Sequence, residues 1–112
     1  MSDTQNVQDW IKEIVTGHNV VLFMKGAASM PQCGFSKRAV EILRDLGVTK
    51  LVTVNILEDQ ELRAAVKEYS NWPTYPQLYV KGEFIGGVDI MNEMAESGEL
   101  KPLLEEAGAM DA

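Results

Sequence analysis

The amino-acid sequence predicts an α/β domain built on one mixed four-stranded sheet with helices on both faces. Short apolar runs rich in β-branched and aromatic residues, typical of strands, alternate with stretches whose apolar residues recur at helical spacing. A helix separates the first two strands, so we expect them to be parallel. The last two flank Lys81-Gly82, a hairpin signal, so we expect them to be antiparallel. The 112 residues fit a single domain, 1–112, with its core over about residues 7–107.

The N-terminal half opens with a predicted helix. Its apolar residues recur at helical spacing, with Asn6 as its N-cap and Gly17 following it as the C′ residue. The run at residues 19–25 is apolar almost throughout, which is typical of a strand buried on both faces. The segment "GAASMPQ" (residues 26–32) contains Gly and Pro and is expected to be a loop.

The rest of the chain continues the alternation. A second helix is predicted from Gly34 to just before Gly47, and a strand over residues 50–56. Asp59 is expected to cap a third helix, and Asp89 a last helical region. This last region should reach about residue 107, with a break near Ser97-Gly98, and the final residues should fray.

Composition narrows the function and the compartment. The formal net charge of −7 argues against general binding to nucleic acid or to an anionic membrane. No apolar run approaches the roughly 20 residues that span a bilayer. The polar, acidic N-terminus resembles neither a secretory signal nor an Arg-rich transit peptide, and a single cysteine fits a reducing compartment. We therefore predict a cytoplasmic protein, although a processed organellar protein would have the same composition.

The single cysteine, Cys33, lies where the second helix is expected to begin. Unpaired N–H groups and the helix dipole favour an anion at such a start, so the thiol pKa should fall below its free value of about 8.5. Lys37 and Arg38 oppose the dipole, which indicates a thiolate or a bound anion nearby. An isolated cysteine is more often inert and buried. The helix start, Gly34 and the basic flank favour a functional cysteine here.

Ser36 stands where a redox protein would carry a second cysteine, three residues after Cys33. A serine cannot resolve a mixed disulfide, so any disulfide at Cys33 must involve a second molecule. One cysteine is also too few for a 2Fe–2S cluster, which usually needs four ligands. Two chains would supply two thiolates, and a small thiol or another protein would have to supply the rest.

Three motifs, in this order and spacing, carry a family resemblance: "CGFS", "WPTYPQ" and "GGVDI". From about residue 7 to residue 104, the chain resembles the monothiol glutaredoxins of the thioredoxin-like superfamily. The resemblance implies the thioredoxin-like (glutaredoxin) fold. It also implies glutathione bound beside Cys33 and a 2Fe–2S cluster shared by a homodimer. One cysteine from each chain and one thiolate from each of two glutathiones would ligate that cluster.

The resemblance also implies roles for individual residues. Glutathione contacts carried over by motif fall on Lys25, Arg63, Lys67, Tyr75, Val88 and Asp89. Pro76 resembles the cis-proline of the superfamily, and the supporting positions are Gly34, Phe35, Ser36, Pro76 and Gly87. Without the resemblance, Lys25 would be interpreted as a polar strand end, and Arg63 with Lys67 as solvated helix surface. Phe35 is expected to stay partly exposed, and Trp72 to belong to the core or its edge.

One position departs from many relatives, which carry Cys where this chain has Val88. An internal disulfide with Cys33 is therefore excluded, whereas cluster ligation does not need that position.

Three functions remain open on the sequence. The first is a carrier that delivers the 2Fe–2S cluster to iron–sulfur acceptor proteins in cluster assembly or iron homeostasis. The second is a glutathione-dependent thiol–disulfide oxidoreductase that removes glutathione from proteins, since one thiol suffices for that reaction. The loop before Cys33 resembles the longer loop of the monothiol class rather than that of the dithiol class, which implies weak turnover at most. The third is a regulatory module that shares its cluster with a partner, such as a BolA-like protein.

Overall fold

The computed structural model describes residues 6–110. Five helices and six strands follow one another along this part of the chain. They are α1 (Val7–Gly17), β1 (Val20–Met24), β2 (Gly26–Ala27), β3 (Met30–Pro31), α2 (Gly34–Asp45), β4 (Leu51–Asn55), α3 (Gln60–Ser70), β5 (Gln77–Val80), β6 (Glu83–Gly86), α4 (Val88–Ser97) and α5 (Leu100–Glu106).

The main sheet has four strands in the order β4-β1-β5-β6. Strands β1 and β4 are parallel, as the helical crossover predicts, and β5 pairs antiparallel with both β1 and β6. All five residues of β1 are buried because it lies inside the sheet with helices on both sides, which explains its continuous apolar run. The mixed four-stranded sheet is confirmed.

Two apolar cores lie on opposite faces of this sheet. One contains buried residues of α1 and α3, such as Ile11 and Val66, packed on β1 and β5. The other contains buried residues of α2, α4 and α5, such as Leu43, Met91 and Leu104. Side chains of β1 alternate between the two cores, as the pleat of a strand requires. The fold class predicted from the sequence is therefore confirmed, with helices on both faces.

Local expectations are confirmed at two caps. The side chains of Asn6 and Asp59 accept hydrogen bonds from the backbone N–H groups of Asp9 and Leu62. The break between α4 and α5, where Gly98 has φ 83°, is also as predicted.

Three expectations about caps and loops are wrong. Helix α1 includes Gly17 and ends at His18 in an extended conformation, so Gly17 is not a C′ residue. The expected loop at residues 26–32 contains the short hairpin β2–β3. Gly87, not Asp89, is the N-cap of α4, because the chain leaves β6 extended and turns helical one residue later. Asp89 instead lies in the first turn, where a carboxylate complements the helix dipole.

Within residues 6–110, no helix is long and apolar enough to cross a bilayer. The fraying that we predict for the final residues is wrong for Ala109, which is buried and whose carbonyl accepts from the backbone N–H groups of Thr49 and Lys50. Residues 111–112 lie outside the described part of the chain.

Candidate functional site

Cys33 is the N-cap residue of α2, immediately after the β2–β3 hairpin, and its side chain is half-buried. Its pKa is lowered from the ordinary value of a thiol. The backbone N–H of Ser36 is the largest cause, the N–H of Phe35 and the positive charge of Lys25 add to it, and partial burial opposes them. The sulfur makes no regular capping hydrogen bond. The start of α2 therefore favours a thiolate, and the cation that adds to this effect is Lys25, directly after β1, rather than Lys37 or Arg38.

Ser36 is fully buried behind Cys33. Its hydroxyl oxygen accepts a hydrogen bond from the backbone N–H of Lys25 at 3.0 Å. This contact ties the first turn of α2 to the segment that follows β1. The serine is therefore a structural acceptor as well as the residue that stands in place of a second thiol, and the sequence motif alone does not reveal that role.

A cavity of about 300 Å³ opens beside Cys33, at the lower end of the range for small-molecule sites. It brings together residues from five separate stretches of the chain. All the positions named from the sequence line it except Gly34 and Ser36, and the members of that set are Lys25, Cys33, Phe35, Arg63, Lys67, Tyr75, Pro76, Gly87, Val88 and Asp89. Gly34 is the exposed first residue of α2, next to the thiol.

Positive charge predominates in this cavity. Lys25, Arg63 and Lys67 line it, against the single carboxylate of Asp89. Such a lining suits a small ligand that carries a carboxylate, because the guanidinium of Arg63 can bind a carboxylate through two parallel hydrogen bonds.

The turn that faces the thiol contains a cis peptide bond between Tyr75 and Pro76, as the family resemblance implies. The Tyr75 hydroxyl donates a hydrogen bond to the carbonyl of Arg63, which joins this turn to α3. Burial raises the pKa of the Tyr75 phenol, so the hydroxyl keeps the proton that it donates.

The same turn includes contacts that the sequence reasoning missed. Gln77 is fully buried, and its Nε2 donates to the carbonyls of Trp72 and Thr74, both at 3.2 Å. Trp72 packs against Phe84 with ring centroids 5.6 Å apart and also lines the cavity, together with Pro73 and Thr74. The available signal was a glutamine in an apolar strand run. If such a side chain is buried, it needs hydrogen-bond partners, so its position predicts contacts to nearby backbone groups.

Helix α4 points its start into the cavity. Val88 and Asp89 are its first two residues, whose N–H groups have no partner within the helix. A Cβ on Gly87 would lie 3.3 Å from the Pro76 carbonyl and 3.4 Å from Trp72 Nε1. Glycine therefore permits the close approach of α4 to the cis-proline turn.

Comparison with known proteins gives the family. The sequence model of the family described as glutaredoxin matches residues 20–85, more than half of the chain. The chain belongs to the glutaredoxin family. An uncharacterized monothiol glutaredoxin of Synechocystis is 54% identical over 97 residues, which are 87% of this chain and 90% of that protein. The mitochondrial monothiol glutaredoxin-5 of Saccharomyces cerevisiae is 52% identical over 102 residues, covering 89% and 68% of the two chains.

A solved structure agrees with this assignment. The crystal structure of a buckwheat glutaredoxin–glutathione complex superposes with a TM-score of 0.83 at 25% identity, covering 94% of this chain and 93% of that one. Because the close sequence relatives are monothiol proteins and Cys33 is the single cysteine, this chain is a monothiol glutaredoxin.

Two large apolar side chains close to Cys33 in this glutaredoxin's sequence are exposed. Phe35 is 63% exposed, which confirms the expectation that it stays partly exposed, and Met30 on the β2–β3 hairpin is 68% exposed. Exposed large apolar side chains beside a reactive group indicate a surface that meets another molecule. Met30 was missed because a single methionine in this segment forms no pattern that predicts an interaction surface.

Proposed function

We propose that this glutaredoxin binds glutathione in the cavity beside Cys33. Two copies would then hold a 2Fe–2S cluster as cargo and deliver it to acceptor proteins. The observation that carries the proposal is a half-buried thiol with a lowered pKa that opens onto a positively charged cavity. A thiolate ligates iron without first losing a proton, so the start of α2 is prepared for that role.

Glutathione fits the chemistry of the cavity. Lys25, Arg63 and Lys67 suit its glycyl carboxylate, and the cis-proline turn at Tyr75 offers backbone groups to its cysteinyl part. At the start of α4, the N–H groups of Val88 and Asp89 suit the γ-glutamyl carboxylate. The Asp89 carboxylate can receive the ammonium group. The buckwheat relative of the same fold is a glutathione complex, which supports this choice.

A shared cluster follows from the number of thiols. Among residues 6–110, no group of three or more His, Cys, Asp or Glu side chains could hold a metal ion. A cluster at Cys33 would therefore take its other ligands from outside the chain. A second copy would supply one thiolate, and two glutathiones would complete the four. Because the glutathione ligands exchange with solution, such a cluster is suited to transfer.

The acceptors would be iron–sulfur proteins, and a BolA-like protein could replace the second copy. We place the protein in the cytoplasm, because its single thiol and acidic chain suit a reducing, aqueous compartment. The yeast relative is named mitochondrial, so localisation of the tagged full chain decides this point.

The cluster proposal is tested by anaerobic reconstitution with ferrous iron, sulfide and glutathione. The expected product is a brown protein that elutes as a dimer in gel filtration and returns to a colourless monomer when the cluster is chelated. Omitting glutathione, or using Cys33→Ser, should each prevent the colour. A colourless monomer from the complete mixture contradicts the proposal.

A second candidate is favoured by the same lowered pKa of Cys33. The thiolate could attack the glutathionyl sulfur of a protein mixed disulfide and release the protein thiol. A second glutathione would then attack the new mixed disulfide, giving oxidised glutathione and free Cys33. A glutathione-coupled reductase assay separates the two functions, and we expect at most slow turnover that disappears in Cys33→Ser.

A further inference from the structure

The backbone of Lys25 and Gly26, which follows β1 beside the site, is held by three hydrogen bonds. The N–H of Lys25 donates to Ser36 Oγ at 3.0 Å. Its carbonyl accepts from the N–H of Gln32 at 2.9 Å. The N–H of Gly26 donates to Asn55 Oδ1 at 2.9 Å. The backbone that carries the Lys25 side chain is therefore attached to α2, to the residue before Cys33, and to the neighbouring strand β4.

Asn55, the last residue of β4, provides the third attachment. Its Oδ1 also accepts from the backbone N–H of Leu57 at 3.0 Å, and its Nδ2 donates to Glu58 at 3.4 Å. A carbonyl oxygen has two lone pairs, and both are used here. One side chain thus closes the turn after β4 and fixes Gly26 at the start of the β2–β3 hairpin.

A small local rotation at Gly26 cannot make up for the loss of that contact, so the segment has to move as a whole. Gly26 has φ 95°, in the region that favours glycine, and a Cβ there would lie 2.5 Å from the backbone nitrogen of Gln32. Gly26 is also buried, so its N–H would have no ready access to water. Removing the Asn55 acceptor should therefore shift the segment rather than leave an unpaired donor in place.

We infer that Asn55 is a positioning residue of the site. Acting through Gly26, it sets where the Lys25 ammonium stands relative to the Cys33 sulfur. Asn55 is not among the residues that line the cavity, and it lies outside every motif that the sequence analysis used. The link is specific because Lys25 and Cys33 line the same cavity, with Lys25 on the segment that the Asn55 bond holds.

The test compares how fast Cys33 reacts with anionic iodoacetate and with neutral iodoacetamide. A nearby cation accelerates the anionic reagent, so the ratio of the two rates reports the position of Lys25. Lys25→Gln should lower this ratio about two- to fivefold, the scale of an exposed charge interaction. Asn55→Ala should lower it in the same direction. In the double variant, the ratio should equal that of Lys25→Gln alone, because the ammonium group whose position Asn55 sets is already absent.

Asn19→Ala is the matched control. Asn19 is also half-buried and also makes a side-chain hydrogen bond to the backbone, from its Nδ2 to the Ala107 carbonyl at 2.7 Å. That bond attaches the segment after α5, away from Cys33. Asn19→Ala should lower the melting temperature and leave the ratio unchanged, which separates positioning from general loss of stability.

An unchanged rate ratio in Asn55→Ala overturns the inference. So does a double variant whose ratio falls by the product of the two single-variant effects, because the two residues would then act independently. Should Asn55→Ala fail to fold, amide hydrogen exchange of the wild-type protein decides. The N–H groups of Gly26 and Leu57 should be protected, and exchange at the rate of an unstructured chain at both overturns the inference. Neither readout needs glutathione or a cluster, so this inference and the proposed function can fail separately.

Discussion

Helices α2 and α3 begin in opposite ways. Helix α3 starts with Asp59, whose carboxylate accepts from the Leu62 N–H at 3.1 Å, and has Glu61 in its first turn. Helix α2 starts with Cys33, which makes no side-chain capping bond, has no acidic residue in its first turn, and is followed by Lys37. The rules for helix stability favour an oxygen cap and an acidic first turn. The α3 start follows these rules and the α2 start does not.

The difference identifies which helix start has a function. At α2, the free N–H groups that a cap would satisfy are directed at a sulfur instead, and they lower its pKa. A position that departs from stability rules without local compensation is where a functional constraint is expected. Substitutions that exchange properties of the two starts therefore test the interpretation.

The largest effect is expected for Cys33→Ser. Without the thiolate, reconstitution should give no cluster and no colour, a complete loss. Serine is a preferred N-cap, so thermal unfolding should show unchanged or slightly higher stability. Visible absorption and a melting curve on the same sample provide both readouts. A stable variant that still turns brown would show that Cys33 is not the ligand.

The pH dependence of the Cys33 thiol sharpens the comparison. The pKa of free cysteine is about 8.5. Because the pKa of Cys33 is lowered, its alkylation by iodoacetamide should reach half the maximal rate below that pH. Between the folded and the unfolded pKa, the unfolded chain binds more protons, so stability should rise with pH through this window. A midpoint at or above that of glutathione, measured alongside, would contradict the lowered pKa.

Ser36→Ala tests the contact that holds the α2 start in place. It removes the buried acceptor of the Lys25 N–H, and leaving such a donor unpaired costs about 1–3 kcal/mol. Chemical denaturation should show that loss in the free energy of unfolding. Ser97→Ala, at an exposed serine near the end of α4, should change it by less than about 0.5 kcal/mol. Equal losses in the two variants would mean that the Ser36 hydroxyl has no special structural role.

The sequence predicts features that depend on local pattern. The apolar run of β1, the caps at Asn6 and Asp59, and the hairpin at Lys81-Gly82 each have a local cause, and the structure contains them all. Apart from Cys33, the lining of the cavity could be named only from the family resemblance. Arg63 and Lys67 have the pattern of ordinary helix surface, and only the fold brings them beside Cys33.

What the sequence does not predict depends on distant partners. Asn55 contacts Gly26 across 29 positions of the chain, so no local pattern at either residue indicates the bond. Asp89 has the residue type of an N-cap, but the path of the chain out of β6 decides that Gly87 takes that position. A glycine near a helix end does not fix how the chain leaves the helix, and here Gly17 is still helical while His18 is extended.

Asp59→Ala removes the cap of the helix that follows the stability rules. The loss of the hydrogen bond to Leu62 should lower the free energy of unfolding by about 1 kcal/mol, while cluster reconstitution stays at the wild-type level. Asp59→Asn keeps an acceptor oxygen and should recover most of the loss. Impaired reconstitution by a folded Asp59→Ala variant would show that the α3 start also serves the site.

The smallest effect comes from exchanging single charges between the two helix starts. Lys37→Glu makes the first turn of α2 acidic, and Glu61→Lys makes that of α3 basic. From the helix dipole, the first should raise and the second should lower the free energy of unfolding, each by about 0.3–1 kcal/mol at low ionic strength. High salt should shrink both shifts, since they are electrostatic and exposed.

The gain at α2 would show that a more stable helix start was available at Lys37. If both substitutions destabilise the protein, Lys37 has a structural partner, and its charge is no longer evidence that the α2 start favours an anion over stability.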